Sequence, residues 1–349
     1  MAPSGINSNF SGISIRGISS CVPNQSITND FFSESFSEKD IKSIEKISGI
    51  KSRRWADSKT STIDLCYVAA KNLIHEINWD PSSIDAIIFI SQTPEYSLPA
   101  SSIVLQNKLK IKSCITLDVN LGCSGYPYGL FIASALINSG FIKRVLLLVG
   151  DTISKVIDKQ DKSTSMIFGD AGSATALESD LKNTSSSYYI NGSDGAGFSN
   201  LIIPDLKYKE VSDRKNFEDR NLKYLYMNGP EIFNFTLLNI PNLIFESLEK
   251  ANCSKDDINF FIFHQANKFI IDLIADKACL DKLKVPSNIE KFGNTSSASI
   301  PLLLSTEVKK ISLENQKIAM FGFGVGYSWS SAIIEIGPIK LMSCCFNEA

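Results

Sequence analysis

The chain has 349 residues, of which 44% are hydrophobic and 21% charged, with a formal net charge of −2. That length can bury a large core and build two domain-sized halves, and a mean hydropathy of +0.02 belongs to a globular chain, not a disordered one. Lysines interspersed with acids exclude a broad nucleic-acid surface, which needs clustered cations, and the longest apolar runs, such as Val145 to Val149, are too short to span a bilayer.

Residues 1–12 are rich in Ser, Asn and Gly, with neither a basic patch nor an apolar core segment. They read as a flexible tail, not a signal peptide. From residue 13 to 182, β-branched runs alternate with helical spacing. Strands are expected at Ile13 to Ile18, Ala86 to Ser91, Cys114 to Val119, Arg144 to Gly150 and Ser173 to Glu178, and helices at Thr62 to Ile77, Ala100 to Leu109 and Cys123 to Ser139. A Ser-rich break at Lys182 to Ser187 precedes a second half, residues 183–349, with the same rhythm. Its expected strands are Asn259 to Phe263, Lys317 to Phe321 and Ser331 to Ile336; its helices are Asn228 to Ala251, Lys268 to Lys277 and Ile300 to Ile311. Leu206 to Tyr224, dense in charge, reads as an exposed excursion. The alternation predicts an α/β fold of βαβ units with mostly parallel, buried sheets.

Eight cysteines without a Cys-x-x-Cys pair fit neither a disulfide framework nor a zinc site, so no metal is expected and a reducing cytoplasm is the simplest setting. Cys123 differs from the others. Gly122 and Gly125 flank it and the helical run Tyr128 to Ile137 follows, which places its sulfur at a helix N-terminus where the dipole favours thiolate. The competing reading is a small buried hydrophobe. An α/β-hydrolase elbow, with Gly two residues on each side of the nucleophile, does not fit.

Of two histidines, His75 lies within helical spacing and reads as an ordinary helix residue. His264 follows Phe260 to Phe263, where a strand hands over to a loop, the usual place for general acid/base chemistry on such scaffolds. Asn294, after Gly293, fits a turn as well as a site. The glycines from Gly322 to Gly326 lead to a strand and no βαβ unit follows, so they are not a nucleotide fingerprint. They suit close approach of a carbonyl oxygen to backbone.

Four segments in one order carry a resemblance: Leu121-Gly122-Cys123-Ser124-Gly125-Tyr126, His264-Gln265-Ala266-Asn267, Phe292-Gly293-Asn294-Thr295-Ser296-Ser297-Ala298-Ser299-Ile300-Pro301, and Phe321-Gly322-Phe323-Gly324-Val325-Gly326-Tyr327-Ser328-Trp329. Together they resemble the signature segments of the β-ketoacyl-acyl-carrier-protein synthase III family, in the thiolase superfamily, over about Ile13 to Ile336. The resemblance implies a thiolase-like fold of two duplicated βαβαβ halves in five layers, αβαβα. It implies that Cys123 takes an acyl group from a thioester of coenzyme A or acyl carrier protein, and that His264 and Asn294 stabilise the enolate left when malonyl loses carbon dioxide. The backbone N–H groups of Cys123 and Val325 would form an oxyanion hole. Gln265 and Asn267 would hold the imidazole tautomer and loop shape. Leu98, before Pro99, would reach the acyl pocket of a partner subunit in a homodimer. No resident cofactor is implied.

The chain departs from housekeeping members of that family. The aromatic and arginine that clasp adenine ahead of Gly49-Ile50 are missing, the stretch holding Ser43, Ile44, Lys46 and Ile47, and an arginine expected after His-Gln-Ala-Asn is Phe269, beside Lys268. A divergent member is therefore expected, with Arg53, Arg54 and Lys268 as the remaining candidates for carrier contacts. Two other functions stay open: acyl transfer from Cys123 to an amine or hydroxyl without decarboxylation, and a non-catalytic acyl-binding subunit.

Overall fold

A computed structural model describes residues 5–205 and 221–346. In chain order the first half runs β1 Ile6–Phe10, β2 Ile13–Pro23, β3 Ser26–Thr28, α1 Glu38–Ser48, β4 Ser52–Arg54, α2 Thr62–Glu76, β5 Ala86–Ile90, α3 Ser101–Lys108, β6 Ile115–Val119, α4 Gly125–Asn138, β7 Arg144–Asp151 and β8 Ala171–Ser179. The second runs β9 Ser187–Ser193, β10 Leu201–Ile202, β11 Tyr226–Met227, α5 Gly229–Lys250, β12 Phe260–Phe263, α6 Lys268–Lys277, α7 Ile289–Phe292, α8 Ser299–Glu307, β13 Gln316–Gly324, β14 Ser328–Ile336 and β15 Lys340–Phe346.

Alternation along buried strands sorts side chains to two faces. In β5, Ile87 and Phe89 join a cluster with Leu65, Leu73 and Leu105 of α2 and α3, while Ile88 and Ile90 join Leu130 of α4 and Leu303 of α8. In β12, Ile262 faces that same inner cluster, and Phe261 and Phe263 face Phe235 of α5 and Ile271 of α6. Three apolar clusters thus separate five layers: α2 and α3, the sheet β15-β2-β8-β7-β5-β6, the buried pair α4 and α8, the sheet β1-β9-β14-β13-β12, and α5 and α6. This is the thiolase-like arrangement. α2 starts at a reciprocal capping box, Ser61 with Asp64.

Four expectations are corrected. The sheets are mixed rather than mostly parallel: β15/β2, β5/β6, β5/β7 and β12/β13 are parallel, but β2/β8, β7/β8, β1/β9, β9/β14 and β13/β14 are antiparallel. Part of the reason is that β8 and β14 return beside β7 and β13 without a crossover helix. Residues 1–12 are not a plain tail, because Ile6–Phe10 pairs antiparallel with Ser187–Asn191. Its polar composition disguised an edge strand whose hold is the backbone ladder plus Phe10 packed on Phe131 and Tyr189. The halves are not sealed at residue 182 either. β1 belongs to the second sheet, while β15 adds parallel to β2 in the first. Finally, the helix expected to reach Ile311 ends at Glu307, and a 3-10 turn, Lys309–Ser312, follows Val308 at φ −96° and ψ 58°. Of the charged stretch Leu206 to Tyr224, residues 206–220 lie outside the described residues. Among the described residues, no helix is long and apolar enough to cross a membrane.

Candidate active site

β6 delivers the chain to a tight turn in which the Gly125 N–H donates to the Gly122 carbonyl at 2.7 Å, and α4 starts at once. Cys123 stands two residues before the first helical residue, 7% exposed. The Ser296 hydroxyl and the backbone N–H groups of Val325 and of Cys123 itself face its sulfur. The approach is close enough to require glycine at Gly324, where an added Cβ would stand 2.9 Å from Cys123 Cβ and 3.1 Å from Sγ. Despite the helix end, the thiolate expected from sequence is not the resting form. Burial pushes the Cys123 thiol up to about 12, the Asp151 carboxylate adds to the rise, and the three donors only reduce it.

His264, 1% exposed, closes β12, its N–H donating to the Phe321 carbonyl at 2.8 Å. Its Nδ1 lies 2.7 Å from Ser299 Oγ, and the Gln265 N–H also reaches that oxygen, at 3.4 Å. When the Ser299 hydroxyl donates to Nδ1, the imidazole proton is on Nε2. Phe323 meets the ring edge-on, centroids 5.8 Å apart. Burial lowers the His264 pKa to about 3, opposed only by the Ser296 backbone, so the ring is neutral at physiological pH.

Asn294 is 6% exposed and held by its backbone: its N–H donates to Ile167 at 2.9 Å and its carbonyl accepts from Gly169 at 3.0 Å. Gly293 before it has φ 64°, and a Cβ there would meet the Ile167 carbonyl at 2.7 Å, so this turn admits glycine alone. Asn294 Oδ1 accepts the Ser296 N–H at 2.9 Å, which leaves Nδ2 as the free donor. Ser296 is thus common to all three: its hydroxyl faces the Cys123 sulfur, its N–H the Asn294 amide, its backbone the imidazole. It sits at φ 50°, a left-handed conformation that a non-glycine residue adopts under constraint.

Sequence reasoning missed two residues here. Ser299, quoted only as part of a motif, is the direct partner of the imidazole. Asp151, fully buried at the end of β7, accepts from Ser91 Oγ at 3.1 Å, Gln92 N–H at 2.7 Å, Thr93 Oγ at 3.2 Å and Ser297 Oγ at 2.6 Å. It ties the exit of β5 to the Asn294 segment, and burial raises its carboxyl. The available signal was an acid closing the apolar run Val145 to Gly150.

Other expected site residues lie elsewhere. Asn267 does not hold the imidazole: its side chain caps α6, accepting the Ile270 N–H at 2.7 Å. Gln265 fixes loop shape, donating to the Phe263 carbonyl at 2.8 Å and accepting from Ser287 at 2.7 Å. Arg53 is fully buried and spent on Asn29 Oδ1 and the Met166 carbonyl, both at 2.7 Å, so it cannot meet a carrier phosphate. Arg54 donates to the Asn24 carbonyl at 2.9 Å. Lys268 pairs with Asp272 and packs on Gly49. Leu98 is 85% exposed. Ser43 and Ile47 are exposed on α1, and Phe269 is stacked on Phe233.

Comparison with known proteins agrees with this geometry. The family model for 3-oxoacyl-[acyl-carrier-protein] synthase III matches residues 117–195, and the model for its C-terminal part matches residues 248–336. The β-ketoacyl-[acyl-carrier-protein] synthase III of Prochlorococcus marinus is 32% identical over 95% of this chain and 99% of the relative. The chain belongs to the β-ketoacyl-acyl-carrier-protein synthase III family. A relative of that family from Campylobacter jejuni, named a putative 3-oxoacyl-[acyl-carrier-protein] synthase 3, is 36% identical over 93% of this chain and 94% of its own. Among solved structures, the 3-oxoacyl-(acyl-carrier protein) synthase of Burkholderia xenovorans superposes with a TM-score of 0.96 at 45% identity, covering 98% of this chain and 99% of the other. The synthase III family thus accounts for the five layers and for the order of the four segments.

Proposed function

We propose that this protein is a condensing enzyme that joins an acyl group on Cys123 to a malonyl thioester. The observation that carries the reading is the convergence of one thiol and two neutral donors on Ser296. In the first half-reaction the Cys123 sulfur attacks a thioester carbonyl. Its proton leaves with the departing thiol, and the tetrahedral oxyanion is held by the N–H groups of Cys123 and Val325. In the second, the malonyl carboxylate leaves as carbon dioxide and its electron pair moves onto the thioester oxygen. His264 Nε2–H and Asn294 Nδ2–H donate to that enolate. Its carbon attacks the acyl-cysteine carbonyl, a carbon–carbon bond forms, and the sulfur is released to take a proton from water.

A buried imidazole that stays neutral suits this step, since an imidazolium would protonate the carbanion before it attacked. The same weak basicity disfavours direct transfer to an amine or hydroxyl, which needs His264 as a general base near neutral pH. An acyl carrier protein, which the relatives' names print for them, or coenzyme A would present the thioester, and the reaction asks for no metal or resident cofactor. Free cysteines throughout the described residues fit a reducing cytoplasm. Leu98, Ile103, Ile115 and Leu117, all exposed around the edge strand β6, fit burial against a second copy, and light scattering should return the mass of a homodimer.

The test is intact mass after incubation with acyl thioesters, followed by malonyl thioester. The expected result is an acyl adduct absent in Cys123→Ala, then carbon dioxide and a β-keto product. An adduct that never releases carbon dioxide would replace condensation by transfer, and no adduct would leave only a non-catalytic role.

A further inference from the structure

Gly122, immediately before the nucleophile, makes room for a side chain from another segment. A Cβ at that position would stand 2.2 Å from Gln92 Oε1, 2.9 Å from Gln92 Cδ and 2.9 Å from Val325 Cγ1. The Gln92 carboxamide therefore lies against the turn that presents Cys123, beside the residue whose N–H faces the sulfur. Its main chain is fixed, because its N–H donates at 2.7 Å to Asp151, the buried carboxylate that also takes the Ser297 hydroxyl at 2.6 Å. The carboxamide itself has no hydrogen-bond partner among the described residues, and the residue is only partly exposed. An amide brings two donors and an acceptor, so a polar group of a bound substrate can pair with it beside the nucleophile turn.

We propose that Gln92 selects acyl thioesters bearing a hydroxyl close to the thioester carbon over unsubstituted chains. A hydroxyl is the complement of the free carboxamide, accepting from Nε2 or donating to Oε1, while a bare hydrocarbon would leave it unpaired. The assignment rests on the reading that Cys123 is acylated. It concerns which acyl group is taken, not the bond-forming chemistry.

The test is competition. The protein is offered equimolar 3-hydroxybutyryl- and butyryl-pantetheine, and the two Cys123 adducts, which differ in mass by one oxygen, are counted at short times. The hydroxylated adduct should lead by roughly tenfold, the worth of one neutral hydrogen bond. Gln92→Leu, similar in reach without polar atoms, should bring the ratio near one, and Gln92→Asn, with a shortened amide, should fall between. A wild-type ratio of one or below overturns the proposal, whether or not the variants fold, and so does a ratio unchanged in folded Gln92→Leu. Adducts formed without preference sink Gln92 alone; no adduct from either thioester sinks the acyl-enzyme reading and Gln92 with it.

Discussion

The two buried helices, α4 and α8, start at the same place and do different work. Both pack in the inner apolar cluster, and neither has a side-chain cap. α4 presents a thiol just ahead of its first turn. α8 begins with Ser299, whose hydroxyl fixes an imidazole brought in by β12. Burial acts on both groups by disfavouring charge, but with opposite titration: the thiol is pushed up and keeps its proton, the imidazole is pushed down and gains none. One fold thus keeps a buried thiol and a buried imidazole both uncharged, the states that the proposed nucleophile and enolate donor would start from.

The strongest break of that comparison is to remove the donors. His264→Ala and Asn294→Ala should each lower condensation about 100- to 1,000-fold, as loss of one oxyanion donor does, while the acyl-cysteine adduct still forms by mass spectrometry. An equal loss of adduct would make these residues part of nucleophile activation instead. The shared packing can be probed with Leu303→Ala in α8, which opens a cavity in a fully buried cluster and should cost about 2–5 kcal/mol in denaturant unfolding.

The opposite titrations give sharper tests. Because the folded His264 pKa of about 3 lies below the unfolded value near 6.5, its contribution is complete above pH 6.5 and is lost as pH falls toward 3. Between pH 7 and 5 wild type should therefore lose on the order of 2 kcal/mol more stability than His264→Gln, measured by urea unfolding. Parallel curves would show that the imidazole titrates in the fold as it does in the unfolded chain. For Cys123, iodoacetamide alkylation should keep rising past pH 9, since burial holds the thiol near 12; a plateau near pH 8.5 would mean an exposed, ordinary thiol. The smallest effect expected is that of Ser299→Ala. Losing one hydrogen bond to Nδ1 should cut condensation about tenfold and restore some imidazole basicity in the pH profile, a change that simple loss of packing would not produce.

Most strands and helices were legible because their apolar runs are long and bounded, and α6 matches its expected ends at Lys268 and Lys277. β1 was not, since an edge strand made of Asn and Ser carries no apolar alternation. β15 was not anticipated either, and nothing local hinted that its partner lay near the other end of the chain. At the site, Cys123 and His264 stood out by a glycine-flanked helix start and a strand exit, whereas Asn294, which locally fits a turn, stood out only through the family resemblance of its segment. Ser299 and Asp151 could not, because their importance arises only when distant segments fold together. Asn267 was misassigned for the converse reason: an Asn ahead of a helical run is a cap by local chemistry, and that local role is the one it has.

The exchanged end strands carry one more implication. Cys344 bonds the Ser20 carbonyl across a separation of 324 residues, and β1 closes against β9 of the opposite sheet. Neither sheet can be completed from its own half. A cut in the Ser-rich break would therefore leave two fragments that each need the other to bury their open edges, and joining contacts so remote makes formation of the whole slow and all-or-none.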